Sequence, residues 1–453
     1  MISLLVGWSA SWCTDRVTAY LSYTRRLAEE TPASRNRIID FWRVVAICVV
    51  VLGHWLAASI WRQPDGEIAL LNSLQWIPYA AWVTWIVQVM PIFFFVGGYA
   101  NARALRHVIE GEQRRRDWVT TRARRLFTPV VPLLVVWTVL ILLMRPFVPA
   151  EVVYAGAMAA TVPLWFMAVY LVLTALAPFT HRWWRAVGMR SLGVLAVLAV
   201  AVDLARFAFD VPGVGYVNFL VVWGAVHQLG YWWAERDETA RPVPREVGAL
   251  TAGCALALLI AVTWIGWYPV AMVGVPGAGL TNMTPPTAAI GLLGLVQAGV
   301  IWWTQHPVGR LAGRPKVWHV VISVSGVIMT IYLWHLTAMA LVGAVGLFAF
   351  DGAAFRIEPG TTAWWLTRPL WIAVLATVTA GLVAIFARFE WRISDRPGPS
   401  RVRTVVLGVI LAAASSAAVA LYGLATPSAE INWIIPAAAL LGAGLVGAFP
   451  RRS

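Results

Sequence analysis

Within residues 37–56, RIIDFWRVVAICVVVLGHWL, three ionisable side chains interrupt a run that is otherwise apolar enough to cross a bilayer: Asp40, Arg43 and His54. A charged group at membrane depth costs at least about 2.5–3.5 kcal/mol even on the lenient insertion scale, so such residues face a bundle interior or a wet cavity. A helix turning ~100° per residue brings His54 to within ~20° of the direction of Arg43, about 16–17 Å further along. Asp40 lies one turn below Arg43 at i,i+3 spacing, where a carboxylate can meet a guanidinium. One helix face therefore carries an ion pair near one membrane surface and a titratable imidazole well inside. A free imidazole, with a pKa of about 6.5, can remove a hydroxyl proton at neutral pH. A histidine that only bonds a neighbouring helix, with an arginine that snorkels, would use the same positions.

The elements that hold these residues are transmembrane. The chain is 60% hydrophobic and 12% charged, with a mean hydropathy of +0.72. That is the composition of an all-α polytopic membrane bundle rather than a soluble fold. Taking ~20 apolar residues per span, the sequence divides into about twelve. They lie near 38–60, 79–101, 126–147, 162–178, 188–207, 213–234, 247–268, 284–304, 320–349, 366–387, 403–424 and 432–449.

The formal charge of +14 comes almost wholly from Arg, because Lys316 is the only lysine. These charges collect in alternate loops: before the first span (Arg25, Arg26, Arg35, Arg37), after the second (Arg114 to Arg116, Arg122) and after each later even-numbered one, to Arg451 and Arg452 at the end. The positive-inside rule then predicts both termini in the cytoplasm, and it accounts for the basic excess without nucleic acid. The paired tryptophans near span ends, such as Trp183–Trp184 and Trp302–Trp303, are interfacial anchors. Cys13, Cys48 and Cys254 form no metal or redox pattern and are expected to pack; no metal is expected. Residues 1–34 lack the features of a signal peptide and read as an interfacial helix or a loose tail. The segment 393–402, rich in Pro and Gly, separates a ten-span core over 35–395 from a two-span extension over 396–453.

Other polar residues sit at telling places. The second span ends at the cytoplasm in FFFVGGYANARALR, where Arg103 and Arg106 share a face. Two guanidiniums at a helix end make a phosphate clamp, although topological anchoring needs the same residues. Gly97 and Gly98 before them suggest a close helix contact or a ligand approaching the backbone. His335 in the ninth span is a candidate site residue or a structural hydrogen-bonder. Asp203 and Arg206 are expected to pair, and Asn218, His227 and Gln228 to bond between helices. The external stretch 281–287, TNMTPPT, could line a sugar-binding mouth through Asn282 and Thr284, and it contains a glycosylation sequon.

Together these segments resemble the acyltransferase family 3 membrane proteins. The spacing of Arg43 and His54 is that family's Arg, ten residues, His signature. FFFVGGY resembles its FF-x-x-SG-like segment, and Arg103 with Arg106 match its R-x-x-R. RRLFTPVVPL (124–133), LWFMAVYL (164–171) and IYLWHLTAMAL (331–341) resemble its next segments in the same order, so the resemblance covers roughly 35–395.

The resemblance implies transfer of an acyl group, usually acetyl, from cytosolic acyl-CoA to a hydroxyl of an envelope carbohydrate or glycolipid. It assigns catalysis to His54 and donor-phosphate binding to Arg103 and Arg106; Arg43 would orient the donor or hold Asp40. The family commonly has Ser where this chain has Gly97, so an acyl-serine there is excluded, and His54 acts as general base or as acyl relay. The Arg and Ala bias fits a GC-rich genome, and hence a bacterial inner membrane. A transporter or flippase lined by Asp40, Arg43 and His54 is the competing class, and a catalytically idle subunit a third. The sequence does not name the acceptor, the acyl length or the oligomeric state.

Overall fold

The computed structural model describes residues 18–32, 34–77, 79–109, 115–275, 277–391 and 401–448. Cys13, Arg114, the terminal arginines and most of the 393–402 linker lie outside these residues.

The first described helix is α1 (residues 18–29), which lies against residues 319–323. Its Thr24 hydroxyl meets Ser323 Oγ at 2.8 Å and His319 Nε2 at 3.2 Å. The apolar run carrying the candidate residues forms α2 (Arg37–Ala57), opened by Asn36, whose side chain accepts the Ile38 amide. At its C-terminal end the chain leaves the helix for an antiparallel hairpin, β1 (Ala58–Arg62) and β2 (Ile68–Asn72), in register from Ala58–Asn72 to Arg62–Ile68. Gly66 takes φ +92° in the turn, and Asp65 accepts the Glu67 amide at 3.0 Å. Among the described residues, this two-stranded sheet departs from an all-helical reading. Its Pro-Asp-Gly turn between two apolar stretches was a legible signal.

The helices that follow are α3 (Ser73–Trp76), α4 (Ala80–Val87), α5 (Met90–Ile109), α6 (Arg115–Phe127), α7 (Val130–Met144), α8 (Ala150–Thr161), α9 (Leu164–Val187) and α10 (Arg190–Phe207). They continue as α11 (Asn218–Glu238), α12 (Arg245–Trp264), α13 (Ala288–Trp303), α14 (Gln305–Ala312), α15 (Pro315–Ser325), α16 (Ile328–Phe348), α17 (Thr362–Phe386), α18 (Arg388–Trp391), α19 (Val402–Tyr422) and α20 (Ile434–Leu445). Among the described residues, eight helical segments are long and apolar enough to cross a membrane, or nine if the α13–α14 pair, bent by 65°, counts as one. The chain is a multi-pass membrane protein. The remaining segments expected as spans have visible reasons for standing apart. α10 carries Arg190, Asp203 and Arg206, α11 carries Asn218, His227 and Gln228 within its length, and α20 has only 12 residues.

In the centre of the bundle, α2 packs against α5, α15, α16 and α17, and α5 packs against α9, α11 and α13. The α5–α11 crossing is close because both helices offer glycine. A Cβ on Gly98 would lie 1.8 Å from the His227 carbonyl oxygen, and one on Gly230 2.2 Å from that of Phe95. Of the two meanings open for the Gly97–Gly98 pair, Gly98 serves a helix contact. The two-helix extension is built into the bundle: α19 lies along α9 and touches α6 and α8, while α20 packs on α19 and α7.

Candidate functional site

The expected ion pair at the N-terminal end of α2 is present, with Arg43 Nη1 3.4 Å from Asp40 Oδ1. Asp40 is buried, and it takes a second cation that the spacing argument missed: Arg35 Nε donates to Oδ2 at 2.7 Å. Asp40 is thus satisfied by the chain itself.

His54 faces His335. Its Nδ1 stands 2.8 Å from His335 Nε2. The ring planes agree within 4° and the centroids are 5.1 Å apart, the geometry of an in-plane bond between two imidazole edges. The partners fix the tautomers. His335 Nδ1 lies 2.7 Å from the Tyr332 carbonyl oxygen, which can only accept, so that nitrogen carries the proton. A neutral His335 then offers Nε2 as an acceptor, and His54 must donate from Nδ1. The proton-accepting nitrogen of His54 is therefore Nε2. His335 is fully buried, and its helix is fastened on several sides. Trp55 Nε1 donates to the His335 carbonyl at 3.1 Å, Tyr332 OH to that of Pro163 at 2.8 Å, and Trp137 Nε1 to Thr337 Oγ1 at 2.9 Å.

His54 also lines a cavity of about 960 Å³ on the hairpin side of the bundle, where Ala58, Asn72 and Ser73 belong to its lining. Its walls come from α2, α4, α9, α11, α16 and α19, and the loop at 273–284 contributes Gly274, Met283 and Thr284. Gln88, at the break between α4 and α5, lies on the wall but is already engaged. Its Nε2 donates to the Met272 carbonyl at 2.9 Å, and its Oε1 accepts the Met90 amide at 3.2 Å. Such pairing is what allows non-helical backbone at membrane depth.

In the C-terminal half of α5, Arg103 and Arg106 share one carboxylate, Glu238 at the end of α11, at 3.7 and 3.8 Å. Sequence reasoning did not find Glu238, because nothing local links it to α5. Gly97 faces the Tyr170 hydroxyl, which would be 2.5 Å from a Cβ placed there.

Other expected residues have structural work. Asn282 is buried and ties the loop between α12 and α13, donating to the Pro269 and Ala271 carbonyls at 2.6 and 3.1 Å and accepting from Thr287 Oγ1 at 2.8 Å. It does not face the mouth, whereas Thr284 does. Asp203 is not paired as expected with Arg206. It receives Asn218 Nδ2 at 2.9 Å, Tyr268 OH at 2.9 Å and the Ala288 amide at 2.7 Å, while Arg206 turns to the Pro285 carbonyl at 3.4 Å. A buried carboxylate is satisfied better by three short donors than by one cation across a turn. His227 accepts from Asn101 at 3.1 Å and Gln228 from Ser191 at 2.6 Å, bonds between helices as expected. Cys48 and Cys254 are free thiols on the exposed side of their helices.

A family model described as an acyltransferase domain matches residues 36–388. No curated protein and no solved structure matches the chain.

Proposed function

The chain belongs to the acyltransferase family matched over residues 36–388, and we propose that it moves an acyl group from cytosolic acyl-CoA to an extracytoplasmic hydroxyl. The acyl group is acetyl in the simplest case, and the acceptor is a carbohydrate or glycolipid of the envelope. The observation that carries the reading is the His54–His335 pair at the wall of the outer cavity. His54 Nε2 takes the acceptor's hydroxyl proton as its oxygen attacks the thioester carbonyl. The C–S bond breaks, and the thiolate leaves with the proton that His54 gives back. His335, through its neutral Nε2, holds the imidazole in the tautomer that this step needs.

On the donor side, Arg103 and Arg106 would bind the phosphates of CoA at the cytoplasmic mouth. Their partner Glu238 is a distant and partly exposed carboxylate that an incoming phosphate can replace. The alternating arginine loops support twelve spans with both termini in the cytoplasm, which puts these arginines and His54 on opposite sides of the bilayer's centre. A transporter would share the broken helix at Gln88, but that residue's polar atoms are engaged within the chain and offer nothing to a passing solute.

Purified protein in lipid, given radiolabelled acetyl-CoA and an envelope extract, tests the proposal. Wild type should lose thioester and label an acceptor, while His54→Ala should bind the donor and do neither. Equal transfer by both proteins would refute the role of His54. Movement of a solute without thioester loss would replace acyl transfer with transport.

A further inference from the structure

The cavity beside His54 is built for hydrocarbon rather than for a sugar ring. Its inner polar side chains are already engaged: Ser73 Oγ donates to the Leu56 carbonyl at 2.9 Å, Thr84 Oγ1 accepts the Met272 amide at 2.8 Å, and Gln88 is held as described. A carbohydrate placed there would leave its own hydroxyls without partners, at a cost of ~1–3 kcal/mol each. The exposed polar and aromatic groups of the lining, Tyr79, Tyr216 and Thr284, mark its open rim instead.

One wall belongs to α19, which lies beyond the residues matched by the acyltransferase family model. Its contribution is Ala413, Ala414, Ala417, Ala420 and Leu421, and the alanines leave the wall hollow. From Leu421 to Ala413 the wall descends ~12 Å at 1.5 Å per residue, most of the ~15 Å depth of one leaflet's hydrocarbon. The rim is open to lipid as well as to water: Leu421, Leu220 and Val83 are exposed on helix sides around it, and Val162 at the break between α8 and α9. A chain could therefore slide in sideways from the outer leaflet, with its polar head left at the rim beside His54.

We propose that this slot binds the hydrocarbon chain of an amphiphilic, membrane-anchored acceptor, and that α19 is the element that selects for it. The inference rests on the acyl-transfer reading and specifies its acceptor. The donor's acyl chain is the other hydrocarbon at hand, but CoA approaches from the cytoplasm while the slot opens toward the outer leaflet.

The test uses the full chain in lipid nanodiscs with two hydroxyl probes that share a head group, methyl and dodecyl β-glucoside. Wild type should acylate dodecyl glucoside with a kcat/KM more than tenfold above that of methyl glucoside. Ala417→Trp, or the milder Ala413→Leu, should erase that advantage and leave the methyl glucoside rate and the melting temperature unchanged. Equal rates for the two glucosides in wild type would overturn the proposal, as would be expected if bulk lipid merely filled the slot. A variant that instead alters the preference between acetyl-CoA and decanoyl-CoA would also overturn it, by giving the slot to the donor.

A second arm needs no turnover. A long-chain glucoside carrying a diazirine at its tail should cross-link to residues 413–421 in wild type and not in Ala417→Trp. Cross-linking there without any acylation would sink the acyl-transfer reading and keep the slot. Acylation without cross-linking to α19 would do the reverse.

Discussion

Replacing His335 tests whether the two imidazoles act together, and the structure supplies the size of the effect. The bond between them is short at 2.8 Å and lies in plane, with the rings within 4°. In the resting enzyme it joins two neutral groups and contributes about 0.5–1.5 kcal/mol. As His54 takes the acceptor's proton its ring becomes cationic, and a hydrogen bond from a charged donor is worth about 1.5–3 kcal/mol. The gain specific to the transition state is therefore roughly 1–2 kcal/mol, or about fivefold to thirtyfold in rate. Losing the fixed tautomer adds a few-fold more, so His335→Leu should lower kcat by about ten- to a hundredfold. KM for both substrates should stay near wild type, because the lost interaction strengthens only in the transition state. His335→Gln can place an amide oxygen near the position of Nε2 and should recover part of the loss. His54→Ala, which removes the base altogether, should cost about 10²–10⁴-fold. Rates are measured as thioester loss in proteoliposomes, with thermal melting as the control for folding. The reasoning is refuted if His335→Leu keeps kcat within twofold of wild type while folded, or if its defect lies entirely in KM.

Two further outcomes follow from contacts outside the dyad. The Glu238 contacts to Arg103 and Arg106 are long and partly exposed, and such pairs are worth about 0–1 kcal/mol. Glu238→Gln should therefore lower KM for acyl-CoA by no more than about fivefold, whereas Arg103→Ala should raise it in a salt-dependent way; an unchanged KM in Arg103→Ala would remove the phosphate clamp. Beside the hairpin, the Arg62 guanidinium bonded to Asp351 holds that carboxyl below the usual carboxylate range. A carboxyl depressed in the folded state stabilises above its unfolded pKa of about 3.9, and the contribution fades as pH falls through the lower folded value. Protection factors of the hairpin amides should be higher in wild type than in Asp351→Asn at pH 5 and converge at the acid end. Equal protection at pH 5 would show that the tie does not hold the hairpin.

What the sequence disclosed and what it hid divide along a physical line. Asp40 with Arg43, and the apolar setting of His54, follow from one helix's geometry, so spacing alone was enough. The partner of His54 lies 281 positions away, and its tautomer depends on a carbonyl one turn back along α16. No periodicity encodes such a meeting. The same holds for Glu238, brought to the arginines only because Gly98 and Gly230 let α5 and α11 cross closely. Asn282 shows the opposite error. A loop rich in amides and hydroxyls reads as a mouth that binds, yet a chain that folds back on itself at the membrane surface must first satisfy its own carbonyls. Asn282 does this for Pro269 and Ala271.

Polar type is therefore a weaker guide to function here than unsatisfied polarity. Asp40, Asp203, Gln88 and Asn282 are all polar and buried, and each is held by partners within the chain. At His54 one ring nitrogen is fixed and the ring borders open space. A histidine kept only for packing would gain nothing from a second buried histidine at its back, since an aliphatic pair of similar volume avoids desolvating two imidazoles. The pair makes sense where one of the two must change its charge during a reaction and the other must meet that change without moving.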